Sequence, residues 1–130
     1  MHDSTSAPSA TDLEYATDAA LECLEWSESQ CDENGDNAVP LDSLGLFFDE
    51  ESRARIRAEL GDFISANNED LEGLDYSQIG HDFILTRNHH GAGFWDRGLG
   101  ERGERLTESA HDFGGITAFV LDGDLHAEDS

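Results

Sequence analysis

The stretch GHDFILTRNHHGAGFWDRG, residues 80–98, crowds His81, Asp82, Arg87, His89, His90, Trp95, Asp96 and Arg97 into seventeen positions. Inside it, DFILTR (82–87) and AGFWD (92–96) are short apolar runs rich in β-branched and aromatic residues, separated by a turn-forming segment. Runs of this kind, bounded by glycine and asparagine, predict two strands joined as a hairpin. Alternation on the first strand then places Asp82, Ile84 and Thr86 on one face, with Phe83, Leu85 and Arg87 on the other. Arg87 or Arg97 is expected to pair with Asp82 or Asp96. Gly91, Gly93 and Gly98 are expected to serve turns and close packing around Phe94 and a buried Trp95.

C-terminal to this stretch, residues 101–113 have Leu106, Ala110 and Phe113 at helical spacing and meet Gly114 and Gly115, a helix stop. ITAFVL (116–121) is a strand pattern, and Asp122-Gly123 is a hairpin turn leading to Leu125 and His126. The end, Glu128, Asp129 and Ser130, reads as a frayed acidic tail. On the N-terminal side, Leu13, Ala16, Ala20 and Leu24 recur at helical spacing, widened by Cys23 and Trp26, with Thr11 or Asp12 as cap. Residues 27–44 are polar and aperiodic, predicting a long loop. A second helix is expected to start near Asp49, bury Ile56, Leu60, Phe63 and Ile64, and end at Asn67 and Asn68. Residues 69–78 read as a connector. The expected fold is therefore α+β, with helices packed on one face of a small antiparallel sheet. Residues 1–10 form a disordered lead-in, and 11–130 form a single domain.

The chain has 130 residues, enough for one hydrophobic core. Thirty Asp and Glu face seven arginines and no lysine, for a net charge of −23. That balance argues against unaided binding to nucleic acid or to an anionic membrane, and no apolar run is long enough to span a bilayer. With no secretory signal at the start, Cys23 and Cys31 are expected to be reduced structural thiols in a cytoplasm. HExxH, CxxC and EF-hand patterns are absent from the sequence, Gly91-x-Gly93 is not followed by a phosphate-loop Lys or helix, and no cofactor or metal is expected. His111 and His126 read as solvated or helix-terminal.

The acid is concentrated: residues 1–78 carry a net −17 of the total. Glu14, Asp18, Glu22 and Glu25 follow at spacings of 4, 4 and 3 and form one stripe on the first helix. The second helix instead offsets its acids through Glu51 with Arg55 and Arg55 with Glu59. Carboxylates spaced at about 6 Å approach the phosphate spacing of a DNA strand. An uncompensated stripe is what a protein needs to take the place of DNA on a basic groove.

Residues 80–98, the following LGERGERLTESAHDFG (99–114) and the Asp122-Gly123 turn together resemble an uncharacterised family of small phage and prophage proteins of GC-rich bacteria. Ile84, where that family often has an aromatic, and Phe119 and Val120, in place of a tyrosine-bearing strand, depart from its pattern. The resemblance implies a phage or mobile-element origin and carries no established activity.

The expected role is that of a cytoplasmic, non-enzymatic protein acting by contact on a host nucleic-acid-binding defence or regulatory complex, as an anti-CRISPR or antirestriction protein does. Its contact residues would be Glu14, Asp18, Glu22 and Glu25 on the helix, with Arg87, His89, His90, Trp95, Asp96 and Arg97 on the hairpin. Two alternatives stay open. One is a halophilic-type domain whose acids only solvate its surface. The other is a small enzyme in which His89, His90 and Asp96, with His81, converge.

Overall fold

The computed structural model describes residues 9–27, 29–31, 38–89 and 93–129, with the backbone alone at 29–31, 38–40, 42, 43 and 96. The expected disorder of the first eight residues lies outside them. Helix α1 spans Ala10–Ser27, and the Ser9 hydroxyl accepts from the Asp12 N–H, so the cap lies earlier than Thr11. Strands β1 (Ser29–Cys31) and β2 (Ala38–Pro40) pair antiparallel, and a 3-10 turn follows at Leu41–Leu44. This stretch, expected to be loop throughout, therefore holds a short ladder.

Helix α2 runs Glu50–Ala66, capped by the Asp49 carboxylate accepting from the Ser52 N–H, and ends at Asn67 as its sequence implies. Helix α3 is a single turn, Asn68–Leu71. Helix α4 is Tyr76–Arg87 and α5 is Glu101–His111, with a 3-10 turn at Phe94–Asp96 between them. Strands β3 (Ile116–Leu121) and β4 (Asp124–Asp129) close the chain as a hairpin. Asp122 and Gly123 both adopt positive φ, 51° and 85°, as the tight turn between them requires.

The fold is α+β, with the helices packed against the antiparallel sheet. Ala118 lies opposite Ala127 and Val120 opposite Leu125, so these residues share the inward face. The segment before α2 lines up beside β4: Phe48 bridges to Leu125, and the Ser52 hydroxyl accepts from the Ala127 N–H at 2.9 Å.

The central correction is α4. Residues 82–87, expected as a strand, are the last half of a helix, and no hairpin joins them to 94–96. Asp82, Phe83, Ile84, Leu85, Thr86 and Arg87 are all buried, so the segment has no solvent face and the alternation expected for a strand does not exist. Each turn of α4 meets another element, chiefly α1 and then α5. The signal for this helix lies four residues upstream of Ile79. Asp75 caps α4 by accepting from the Gln78 N–H, and Asp-x-x-Gln is a capping-box spacing inside what reads as a connector.

Phe63, Phe83, Phe94 and Phe113 form the aromatic centre, with Phe63 4.7 Å from Phe83 and 5.5 Å from Phe94. Phe94 is wholly buried, whereas Trp95, expected inside, is 44% exposed. The ring order follows from Gly93. A Cβ there would collide with the Thr86 hydroxyl and the Trp95 ring, so the bare backbone passes close enough for the Phe94 N–H to donate to Thr86 Oγ1. Phe94→Ala should therefore cost about 3–5 kcal/mol and Trp95→Ala no more than about 1 kcal/mol. Urea midpoints of the two variants check this, and equal losses would contradict the burial order.

Candidate functional site

On α1, Tyr15, Asp18, Ala19, Glu22 and Trp26 form one outward face, because residues three and four apart lie side by side on a helix. Two grooves flank it. One, of about 400 Å³, is lined by Asp18, Leu21, Glu22, Glu25, Phe47, Phe48 and Arg53. The other, of about 410 Å³, is lined by Ala19, Glu22, Trp26, Asp75, Ser77, Gln78, His81 and Arg97. Glu22 stands between them.

The stripe on α1 is compensated at its N-terminal half, contrary to the sequence expectation. Arg53 of α2 donates through Nη2 to Glu14 Oε1 and Asp18 Oδ1, both at 2.6 Å, and Arg57 donates to Glu14 Oε2 at 2.7 Å. The hydrogen bonds from Arg53 and then Arg57 hold the Glu14 carboxyl below the usual range. Glu14 and Asp18 thus tie α1 to α2, leaving Glu22 exposed and Glu25 half-buried as the C-terminal part of the stripe.

Arg87, expected on a contact face, is instead buried. Its guanidinium donates to Glu59 Oε1 at 2.8 Å, Asp129 Oδ1 at 2.9 Å, and the carbonyls of Phe113, Gly114 and Gly115, and lies over the rings of Phe83 and Phe113. It joins α4 to α2 and to both ends of the terminal hairpin. The acidic tail is consequently not frayed at Asp129, which also receives Arg55 at 3.8 Å, in place of the expected pairing of Arg55 along α2.

Burial, followed by the neighbouring Asp129 carboxylate, pushes the Glu59 carboxyl above its ordinary value against the pull of Arg87. Asp129, which its own partial burial would raise, is held below its ordinary value by its hydrogen bonds to Glu59 and Arg87. A carboxyl raised by folding stabilises at low pH, and that contribution is lost as pH climbs from the unfolded value of 4.5 through the folded one. Wild type should therefore lose stability relative to Glu59→Gln as pH rises above 4.5. Urea unfolding of both proteins across mildly acidic to neutral pH measures the difference; parallel profiles would contradict it.

Among the described side chains, the remaining residues of the 80–98 stretch do not converge. Arg97 makes the expected pairing with Asp82, bidentate at 3.0 and 2.7 Å, and Gln78 adds two further bonds to the same buried carboxylate. His81 approaches Asp82 at 3.5 Å and lies tilted against Trp26 with ring centroids 5.5 Å apart. Trp26, expected on the buried face, is 49% exposed and belongs to this surface. His89 turns away at the end of α4 in the left-handed region, φ 58°, and lies tilted against His111 with ring centroids 4.3 Å apart. Trp95 lines a separate groove of about 630 Å³ with Glu101, Glu104, Arg105, Thr107 and Glu108. His90 lies outside the described residues, and only the backbone of Asp96 is described.

His126 is partly exposed, lies 3.5 Å from Asp49 and stacks on Phe119. Among the described residues no cluster of three or more His, Cys, Asp or Glu has the geometry to hold a metal ion. None of the described helices is long and apolar enough to cross a membrane. All seven arginines lie among the described residues, and each reaches a carboxylate or main-chain carbonyl of its own chain. Arg102 holds the carbonyls of Asp70 and Glu72, and Arg105 the Asp70 carboxylate. In comparisons with protein-family models, curated proteins and solved structures, nothing matches the chain, so the function is read from this surface.

Proposed function

We propose that the protein acts by contact, covering the basic nucleic-acid-binding surface of another protein with its own acidic one. The observation that carries this reading is the internal use of every arginine. With all seven cations tying elements of the fold together, the outward field belongs to the acids, and the net −23 faces the surroundings. Such a field attracts a basic groove and releases the counterions held there, as a nucleic acid does. The phage-type character implied by residues 80–98 fits a host defence or regulatory complex in the cytoplasm as the target. The contact would be made by the C-terminal part of the α1 stripe, where Glu22 lines both grooves and Glu25 one of them, with the surrounding face of the helix.

A competition assay tests this. Proteins retained from a bacterial lysate on heparin are loaded with fluorescent duplex DNA, and the acidic chain is titrated in. Displacement of the duplex is expected, weakening steeply with salt. Glu22→Gln with Glu25→Gln should weaken displacement about tenfold and flatten its salt dependence. Glu14→Gln with Asp18→Gln should lower the melting temperature and change displacement less. Failure to displace duplex, or identical behaviour of both pairs, would leave the acids as solvated surface, the halophilic-type reading.

A further inference from the structure

The geometry points to Phe47 and Trp26 as two apolar anchors that seat a cationic amphipathic segment of the partner across α1, with Glu22 and Glu25 meeting its basic side chains. This rests on the reading that the acidic surface docks on a basic one, and it adds the kind of basic surface required.

Phe47 is 82% exposed, the most exposed of the large apolar side chains among the described residues. Its exposure is imposed by the main chain. The Phe47 carbonyl accepts from the Leu125 N–H at 2.9 Å, and the Asp49 N–H donates to the Leu125 carbonyl at 3.0 Å, so the segment is extended beside β4. On such a segment alternate residues point to opposite sides. Leu46 and Phe48 pack against the core, and Phe47 is held outward between them. Asp49 continues directly into the cap of α2, which removes slack on the C-terminal side.

Phe47 borders one groove beside α1 and Trp26 borders the other, with Glu22 lining both. From Asp18 to Trp26 the helix rises by about 12 Å, about two turns of a docked helix. Phosphate-like charge alone would need no aromatic side chains here. Large aromatics that stand out from a surface, ringed by charge, are the usual centres of binding energy in protein contacts. Charge complementarity selects the occupant. A second copy would bring another −23, and an anionic lipid surface would be repelled in the same way, whereas a segment with apolar residues on one side and arginines beside them satisfies both features.

Two labelled peptides of about five helical turns each serve as probes, one an amphipathic Leu/Arg sequence and the other an Arg/Ser sequence of equal charge. The Leu/Arg peptide is expected to bind the intact chain about tenfold more tightly or better. Phe47→Ala and Trp26→Ala should each reduce that advantage without altering the salt dependence, and the double variant should remove it. Glu22→Gln with Glu25→Gln should weaken both peptides and flatten their salt dependence. Equal affinity for the two peptides, or indifference to Phe47→Ala, overturns the anchors while leaving the charge reading intact. Binding of neither peptide overturns both. Sedimentation showing a dimer that Phe47→Ala dissolves would assign the anchors to a second copy and overturn the inference.

Discussion

Arg87→Ala is expected to remove about 3–5 kcal/mol of stability, enough to leave a small domain barely folded. The size follows from what the guanidinium leaves behind. Its side chain is wholly buried, and its removal strands the Glu59 carboxylate and the carbonyls of Phe113, Gly114 and Gly115 in poorly hydrated surroundings. The rings of Phe83 and Phe113, 5.2 and 5.7 Å from the guanidinium, lose its packing as well. Lysine would not restore the site, because a single ammonium cannot reach two carboxylates and three carbonyls in the fork geometry of a guanidinium. Urea denaturation of Arg87→Ala and Arg87→Lys measures the loss. A midpoint shift in Arg87→Ala corresponding to less than about 1 kcal/mol would show that the pair is as weak as a surface salt bridge. Combining Arg87→Ala with Glu59→Gln should recover part of the loss, since one stranded charge is then absent.

Gly80→Ala is expected to be nearly as damaging, at about 3 kcal/mol or more, although alanine is the better helix former. At this position α4 crosses α1, and an added methyl would fall onto the Ala16 carbonyl oxygen, with the Ala16 carbonyl carbon at 2.8 Å and its Cα at 3.0 Å. All three obstacles are backbone, so no rotamer change relieves them and the two helices must move apart. The contact is built from small residues, Gly80 against Ala16, with Ala20 one turn along α1 also buried. Gly61→Ala in α2 is the control. Its added methyl meets only Leu13 Cδ2 at 3.7 Å, an ordinary contact, so the helix-forming preference of alanine should leave that variant slightly more stable. Thermal melts of the two variants should move in opposite directions. A Gly80→Ala variant as stable as wild type would mean that the α1–α4 crossing is looser than the structure shows.

Several elements were legible in the sequence because their signals are local. Helices α1, α2 and α5 each keep a polar face, so their apolar spacing is visible, and Asp49 and Asn67 mark the ends of α2. The β3–β4 hairpin follows from ITAFVL and the Asp122-Gly123 turn. The charge and the absence of lysine, which limit the partners the chain can have, require no structure at all.

Helix α4 was not legible in its apolar run. Periodicity reports the boundary between core and water, and the C-terminal half of α4, buried on all sides, has no such boundary to report. Its six buried residues at 82–87 therefore read as a strand, and only the Asp75 and Gln78 cap distinguishes the two. The partners of the arginines were equally hidden. Arg53 reaches Asp18 across 35 positions and Arg87 reaches Asp129 across 42, so pairing rules for neighbours on one helix named other partners for Arg55 and left the α1 stripe uncompensated. Composition and local spacing determined that the chain is an acidic α+β domain with an acidic first helix. Tertiary packing decided which of those acids remain outside, that Phe94 rather than Trp95 enters the core, and that Phe47 and Trp26 face outward. These outcomes depend on which distant backbones approach one another, and neighbouring residues carry no record of that.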